Sequence, residues 1–313
     1  MALNQVLTAM RLLDGPVKGD RVAEELEKVG VEVSIETVIE QSGSTDFLLA
    51  KVSGDRGRSV GGDSPTLGIV GRLGGIGARP GVAGLVSDGD GAVAAIAVAL
   101  KLGQRASQGD PPAADVVIAT HICPNAPTEP HEPVPFMGSP VEMATMNRLE
   151  VSDEMEAVLV IDTTKGNRII NWKGIAITPT VLQGWVLPVA PDLLDVYEHV
   201  CGIAPRVLPV STYDITPYGN GLYHVNSILQ PAVATGVPVV GVAITAETAV
   251  PGSAANSSHP SDIALAASFC LESAARFAAD RLTLYDPDMF AVALERYGSM
   301  SQLQTIGSGG TVK

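Results

Sequence analysis

The sequence predicts an α/β fold arranged as a three-layer α/β/α sandwich. Two observations carry the prediction. Apolar runs of strand length, such as TLGIVGRL at 66–73 and VPVVGVAI at 237–244, alternate with longer segments of helical periodicity. The composition also holds 33 Gly but only 4% aromatic residues, which suits tight packing of helices on buried parallel strands.

The elements follow in order. Residues 2–13 read as an amphipathic helix and 20–29 as a second. VEVSIETV (31–38) and TDFLLAKVSG (45–54) alternate as strands. TLGIVGRL is a buried strand that runs into the loop GGIGARPG. Residues 91–103 form an Ala-rich helix, with Asp88 and Asp90 at its start, where carboxylates suit the helix dipole. ADVVIAT (114–120) is the next buried strand. The stretch from His121 to Pro140 carries prolines at 124, 127, 130, 133, 135 and 140, so it is a loop, and loops of this length are often functional. It is expected to cover the site. EAVLVIDTT (156–164), PRVLPVS (205–211) and VPVVGVAI are further strands. PDLLDVYEHVCG (191–202), residues 221–236 and residues 261–282 are further helices, the last with Ser261 as its N-cap. No linker divides the chain, so 1–313 is expected to be one domain with 286–313 as a peripheral tail.

Composition excludes some functions. A formal charge of −14 argues against nucleic acid and anionic membrane surfaces as partners. Three cysteines, Cys123, Cys201 and Cys270, have no CxxC spacing and point to a reduced, cytoplasmic setting. The N-terminus has no signal-peptide pattern, and no apolar run is long enough to span a bilayer.

Several residues carry candidate chemistry. Gly71, Gly74 and Gly77 follow a strand, yet their spacing is not GxGxxG, so a tight loop explains them better than a nucleotide site. Asp88 and Asp90 cap a helix or hold a cation. His121 and Cys123 end a strand, where ligands of open α/β sheets bind. They suit metal binding or a nucleophile–base pair, and a buried thiol beside a hydrogen-bonded imidazole is the plainer alternative. Glu129, His131 and Glu132 lie in the same loop. Asp162 ends an apolar strand, and a carboxylate there is costly to bury without a partner. His259 precedes the last long helix in a Ser/Asn-rich loop.

Taken in order, these segments resemble the co-catalytic zinc aminopeptidases of the glutamyl and deblocking type. VLVIDTT stands where those enzymes have Val-Asp-Val-Thr, and TGVPVVGVAI followed by SSHPSDI stands at their Gly-Val-Pro strand and terminal His-Ser-Pro-x-Glu. PTLGIVGRLGGIG, SDGDGAVAAIAVAL and DVVIATHIC match more weakly. Their inserted β-rich domain is absent, because Pro80 leads almost directly to Ser87. The whole chain resembles still more closely a bacterial family known only as domain of unknown function 1177.

The resemblance implies a zinc-aminopeptidase-like (phosphorylase/hydrolase-like) sandwich with a remodelled site. The first ligand His of those enzymes aligns with Arg72, the following Asp with Gly74, and the bridging Asp with Ser87 or Asp88. Their paired glutamates fall around His121 to Pro124, where this chain has none. The expected function is hydrolysis of a peptide-like or other small amide using one divalent metal, zinc by preference. Asp88, His121, Asp162 and His259 would be its ligands, with His121 alternatively a base. Arg72 would replace a second metal or hold a substrate carboxylate. One alternative is a non-catalytic binder of a peptide or metabolite. Another is a thiol hydrolase with Cys123 as nucleophile and His121 as base. The expected partner is a small-molecule or peptide ligand, and a homo-oligomer is left open.

Overall fold

A strand buried on both faces reads as an unbroken apolar run, and four such runs lie side by side at the centre of this molecule. A computed structural model of the chain describes residues 2–40, 43–72, 84–124, 126–130, 136–164, 166–216, 227–250 and 257–304, apart from the side chains of 128, 129 and 136. The GGIGARPG loop, His131 and Glu132 lie outside the described residues, as does the Glu129 side chain.

The chain begins with helices α1 (Leu3–Leu13) and α2 (Gly19–Glu27) and strands β1 (Glu32–Glu40), β2 (Gly43–Val52) and β3 (Leu67–Gly71). It continues with α3 (Asp90–Ser107), β4 (Val116–Ile122), the short strands β5 (Thr128–Glu129) and β6 (Phe136–Met137), and α4 (Met143–Glu150). Next come β7 (Ala157–Thr164), β8 (Gly174–Ile177), β9 (Thr180–Leu182), β10 (Trp185–Leu187) and α5 (Pro191–Cys201). The last elements are β11 (Val239–Thr245), α6 (Pro260–Ala278) and α7 (Pro287–Tyr297). Nine strands form one sheet in the order β1-β2-β4-β3-β7-β11-β9-β10, with β8 also on β11. Neighbours β4, β3, β7 and β11 are parallel, while the flanking pairs are antiparallel. The sheet is therefore mixed rather than wholly parallel.

Alternation sorts the core into two layers. Leu67, Ile69, Val116, Ile118, Leu159 and Ile161 pack with residues of α1, α3 and α6. Val70, Val117, Ala119, Val158 and Val160 pack on the other face with Ile228 and Leu229 of a 3-10 segment, Ser227–Val233. Helix α4 lies over β2 and β4 on that second face. Gly71 and Gly91 let α3 start directly against the strand ends. A Cβ on Gly91 would come within 2.5 Å of the Arg72 carbonyl oxygen and 2.6 Å of that of Ile161.

The structure departs from the sequence reading in particular places. PRVLPVS makes only an isolated bridge, Val207 with Ile177, because its two prolines withhold ladder donors. Within 221–236, the described part is the 3-10 segment, and Pro231 inside it prevents an α-helix. His259, not Ser261, occupies the N-cap of α6, and Pro260 takes the first helical position that suits it. Beyond 285, Asp286 caps α7 by accepting from Asp288 N–H and Met289 N–H, and Phe290 packs on Leu182 and Leu187. Among the described residues, no helix is long and apolar enough to cross a membrane.

Candidate functional site

The parallel strands end at one edge of the sheet, and three of the predicted residues sit there. Arg72 follows β3, His121 is near the end of β4, and Asp162 is near the end of β7. Each is two residues beyond a side chain of the second core layer (Val70, Ala119 and Val160), so all three face α4 and the 3-10 segment. They are 1%, 4% and 1% exposed.

Helix α4 supplies the partners of Arg72 and His121. Its residues at 143, 147 and 150 share a face at helical spacing. Arg72 Nη1 donates to Glu150 Oε2 at 2.5 Å and to Asn147 Oδ1 at 2.9 Å, while Nη2 reaches Met143 Sδ. The other Glu150 oxygen lies 2.5 Å from His121 Nδ1. A carboxylate there makes Nδ1 the donor, which leaves Nε2 as the acceptor nitrogen. Burial pushes the Glu150 carboxyl up, but the Arg72 charge and His121 outweigh it and hold it below the ordinary glutamate value. Arg72 is thus paired inside the protein, which differs from the expectation that it would meet a substrate carboxylate.

Asp162 has softer partners. Its oxygens accept from Thr163 N–H at 2.6 Å and from the Ser227 hydroxyl at 3.0 Å. Burial pushes its carboxyl up to about 6, against the pull of the Arg72 charge and these two hydrogen bonds.

Cys123 lies two residues beyond His121 and is 3% exposed. Both line a cavity of about 10 Å³ with Ala126, Met137, Gly138, Ser139 and Met146. That volume suits about one water molecule. From the described part of the 121–140 segment, Ala126, Met137, Gly138 and Ser139 line this cavity beside the pair. Burial pushes the Cys270 thiol up, and the Cys201 thiol up to about 11.

The remaining predicted ligands belong to the opposite layer. Asp88 sits in the 3-10 turn Ser87–Gly89, and Asp90 opens α3. The loop before α6 meets them there, with Ser257 Oγ 2.9 Å from Ser87 Oγ and Ser258 Oγ donating to Asp90 Oδ1. His259, next in that loop, is exposed. Asp162 and His259 therefore share an edge of the sheet but belong to different layers. Among the described residues, no group of three or more His, Cys, Asp and Glu side chains is placed to hold a metal ion. The described donors do not fit the expected three- or four-ligand centre.

Glu150, Asn147 and Ser227 were missed by sequence reasoning. Only the Met143, Met146, Asn147 and Glu150 spacing in MATMNRLE hinted at an inward helical face that mixes polar and apolar residues.

Fold and site together describe an α/β protein with a buried imidazole–carboxylate pair beside a thiol, at the carboxyl edge of a mixed sheet. The chain belongs to the family described as Protein of unknown function (DUF1177), whose model matches residues 36–307. A search of curated proteins finds no match.

Proposed function

We propose that this protein is a hydrolase of small amide or peptide-like substrates that works through a thiol. Cys123 is the nucleophile, His121 the base and Glu150 the group that orients the imidazole. The observation carrying this reading is the 2.5 Å contact of Glu150 with His121 Nδ1, on a ring that lines one cavity with Cys123. Nucleophile, base and orienting carboxylate are the parts such chemistry needs. Residues two apart on a strand share a face about 6.6 Å apart, so side-chain rotation on substrate entry brings sulfur and Nε2 together.

In the proposed reaction, His121 Nε2 takes the thiol proton as sulfur attacks the carbonyl carbon. The C–N bond then breaks, and His121 returns the proton to the leaving amine. Water, deprotonated by His121, cleaves the thioester and restores the thiol. The lining residues Ala126, Met137, Gly138 and Ser139 must move aside to admit substrate, because the cavity holds only about one water.

Descent from a zinc-aminopeptidase-like sandwich belongs to the same proposal. Its support is the parallel core β4-β3-β7-β11 with Asp162 at a strand end. A divalent-metal route is less favoured, since no group of three or more His, Cys, Asp and Glu side chains is placed to hold a metal ion among the described residues. A non-catalytic binder is the second reading, favoured by the internal pairing of Arg72 with Glu150.

The test is p-nitroaniline release from a panel of aminoacyl and acetyl-peptide anilides. Activity that survives chelators and disappears in Cys123→Ser and His121→Ala supports the thiol route. Activity lost to chelators but kept in Cys123→Ser would sink it.

A further inference from the structure

Among the described residues, two buried donors in the site have no hydrogen-bond partner: Arg72 Nε and Asn147 Nδ2. Buried donors are rarely left unmade, so each such group calls for an explanation. The amide orientation is fixed by chemistry. Guanidinium has no acceptor, so the Asn147 oxygen must face Arg72 Nη1 at 2.9 Å, and the NH₂ group is left over. Asn147 is 1% exposed and accepts from Arg72, which shares Glu150 with His121, a lining residue of the cavity that holds Cys123. The same helical face carries Glu150.

We infer that Asn147 Nδ2 and Arg72 Nε are the donors for a neutral carbonyl oxygen of the ligand. This inference rests on the thiol-hydrolase reading and narrows its substrate class. Charge decides between a neutral and an anionic ligand. Among the buried charged side chains there, Arg72 is balanced by Glu150, and Asp162 adds a second carboxylate. A ligand carboxylate would enter a buried site that already holds these two, at a cost that low local polarity enlarges. An amide carbonyl brings an acceptor and no charge. The site then selects amides without a free carboxylate next to the scissile bond. The donors also await the negative charge that develops on that oxygen when sulfur attacks.

The test alkylates the full-length protein with iodoacetamide and, separately, with iodoacetate. In each case sulfur bonds to the reagent's methylene carbon, iodide leaves and the thiol proton passes to solvent. Mass mapping follows Cys123, and Cys201 in the same molecule is the control. Asn147→Leu removes the donor. Asn147→Asp keeps the oxygen that Arg72 needs but replaces the NH₂ group. Both variants should slow Cys123 alkylation by iodoacetamide about tenfold, roughly one hydrogen bond's worth. Asn147→Leu should leave the iodoacetate rate and the Cys201 rates unchanged. Equal slowing by both reagents in Asn147→Leu, or no slowing in either variant, overturns the inference while leaving a reactive Cys123 intact. A wild-type Cys123 no faster than Cys201 overturns the thiol reading and this inference with it.

Discussion

Asp162 and Thr163 are neighbours in sequence and belong to different halves of the molecule. Asp162 accepts from Ser227 on the α4 side of the sheet, while Thr163 donates to the Ser87 carbonyl on the α3 side. Strand alternation makes that division. On one side it gathers Arg72, His121, Glu150 and Asp162, all buried. On the other it gathers Ser87, Asp88, Asp90, Ser257 and Ser258, with His259 exposed at the rim. Residues that share a sheet edge do not on that account share a site, because the side on which each is held decides its company.

Removing one member from each half should give very different losses. Glu150→Ala leaves the Arg72 charge buried and without its carboxylate, which costs about 3–5 kcal/mol. Urea denaturation measures it, and a loss below 1 kcal/mol would mean the pair is not buried as described.

The pH dependence separates the two acids. For Asp162, a folded value of about 6 against 3.8 is a shift of about two units, on the order of 3 kcal/mol. The folded state binds the extra proton, so this contribution makes stability fall as pH rises from about 4 to 6, and Asp162→Asn should remove that slope. Glu150 is depressed, so its contribution is present above the ordinary value of 4.5 and is lost as pH falls below it. Denaturation midpoints between pH 3 and 7 should show the two slopes with opposite signs. A wild-type curve unchanged by Asp162→Asn contradicts the burial of that carboxylate.

The α3 side should respond less. Ser258→Ala removes a hydrogen bond to Asp90 and should cost about 1–2 kcal/mol. His259→Ala, at an exposed position, should change stability by less than about 0.5 kcal/mol. If His259 is instead a metal ligand, elemental analysis of the wild type will find near one equivalent of zinc, and His259→Ala will lose it. The present reading expects neither.

Much of this was legible in sequence. Unbroken apolar runs at 67–71, 116–119, 157–161 and 239–244 marked the central strands, and their carboxyl ends marked the edge that bears the site. Which face each end residue takes was not legible, since that depends on register against neighbours far away in the chain. Nor was Glu150, which reaches His121 from a helix 29 positions later. Its helix, MATMNRLE, is only eight residues long and follows a Pro-rich loop, so local pattern gave it little weight. The α7 packing was missed for a similar reason, because Phe290 gains meaning only against Leu182 and Leu187.

The central claim is that His121, held by Glu150, activates Cys123. The direct measurement is the rate of iodoacetamide alkylation at Cys123 relative to Cys201, at pH 7, in the wild type and in His121→Gln. Activation by a neighbouring base should give Cys123 a lead of about tenfold or more in the wild type, and His121→Gln should abolish it. A Cys123 with no lead, or a lead that survives His121→Gln, contradicts the account.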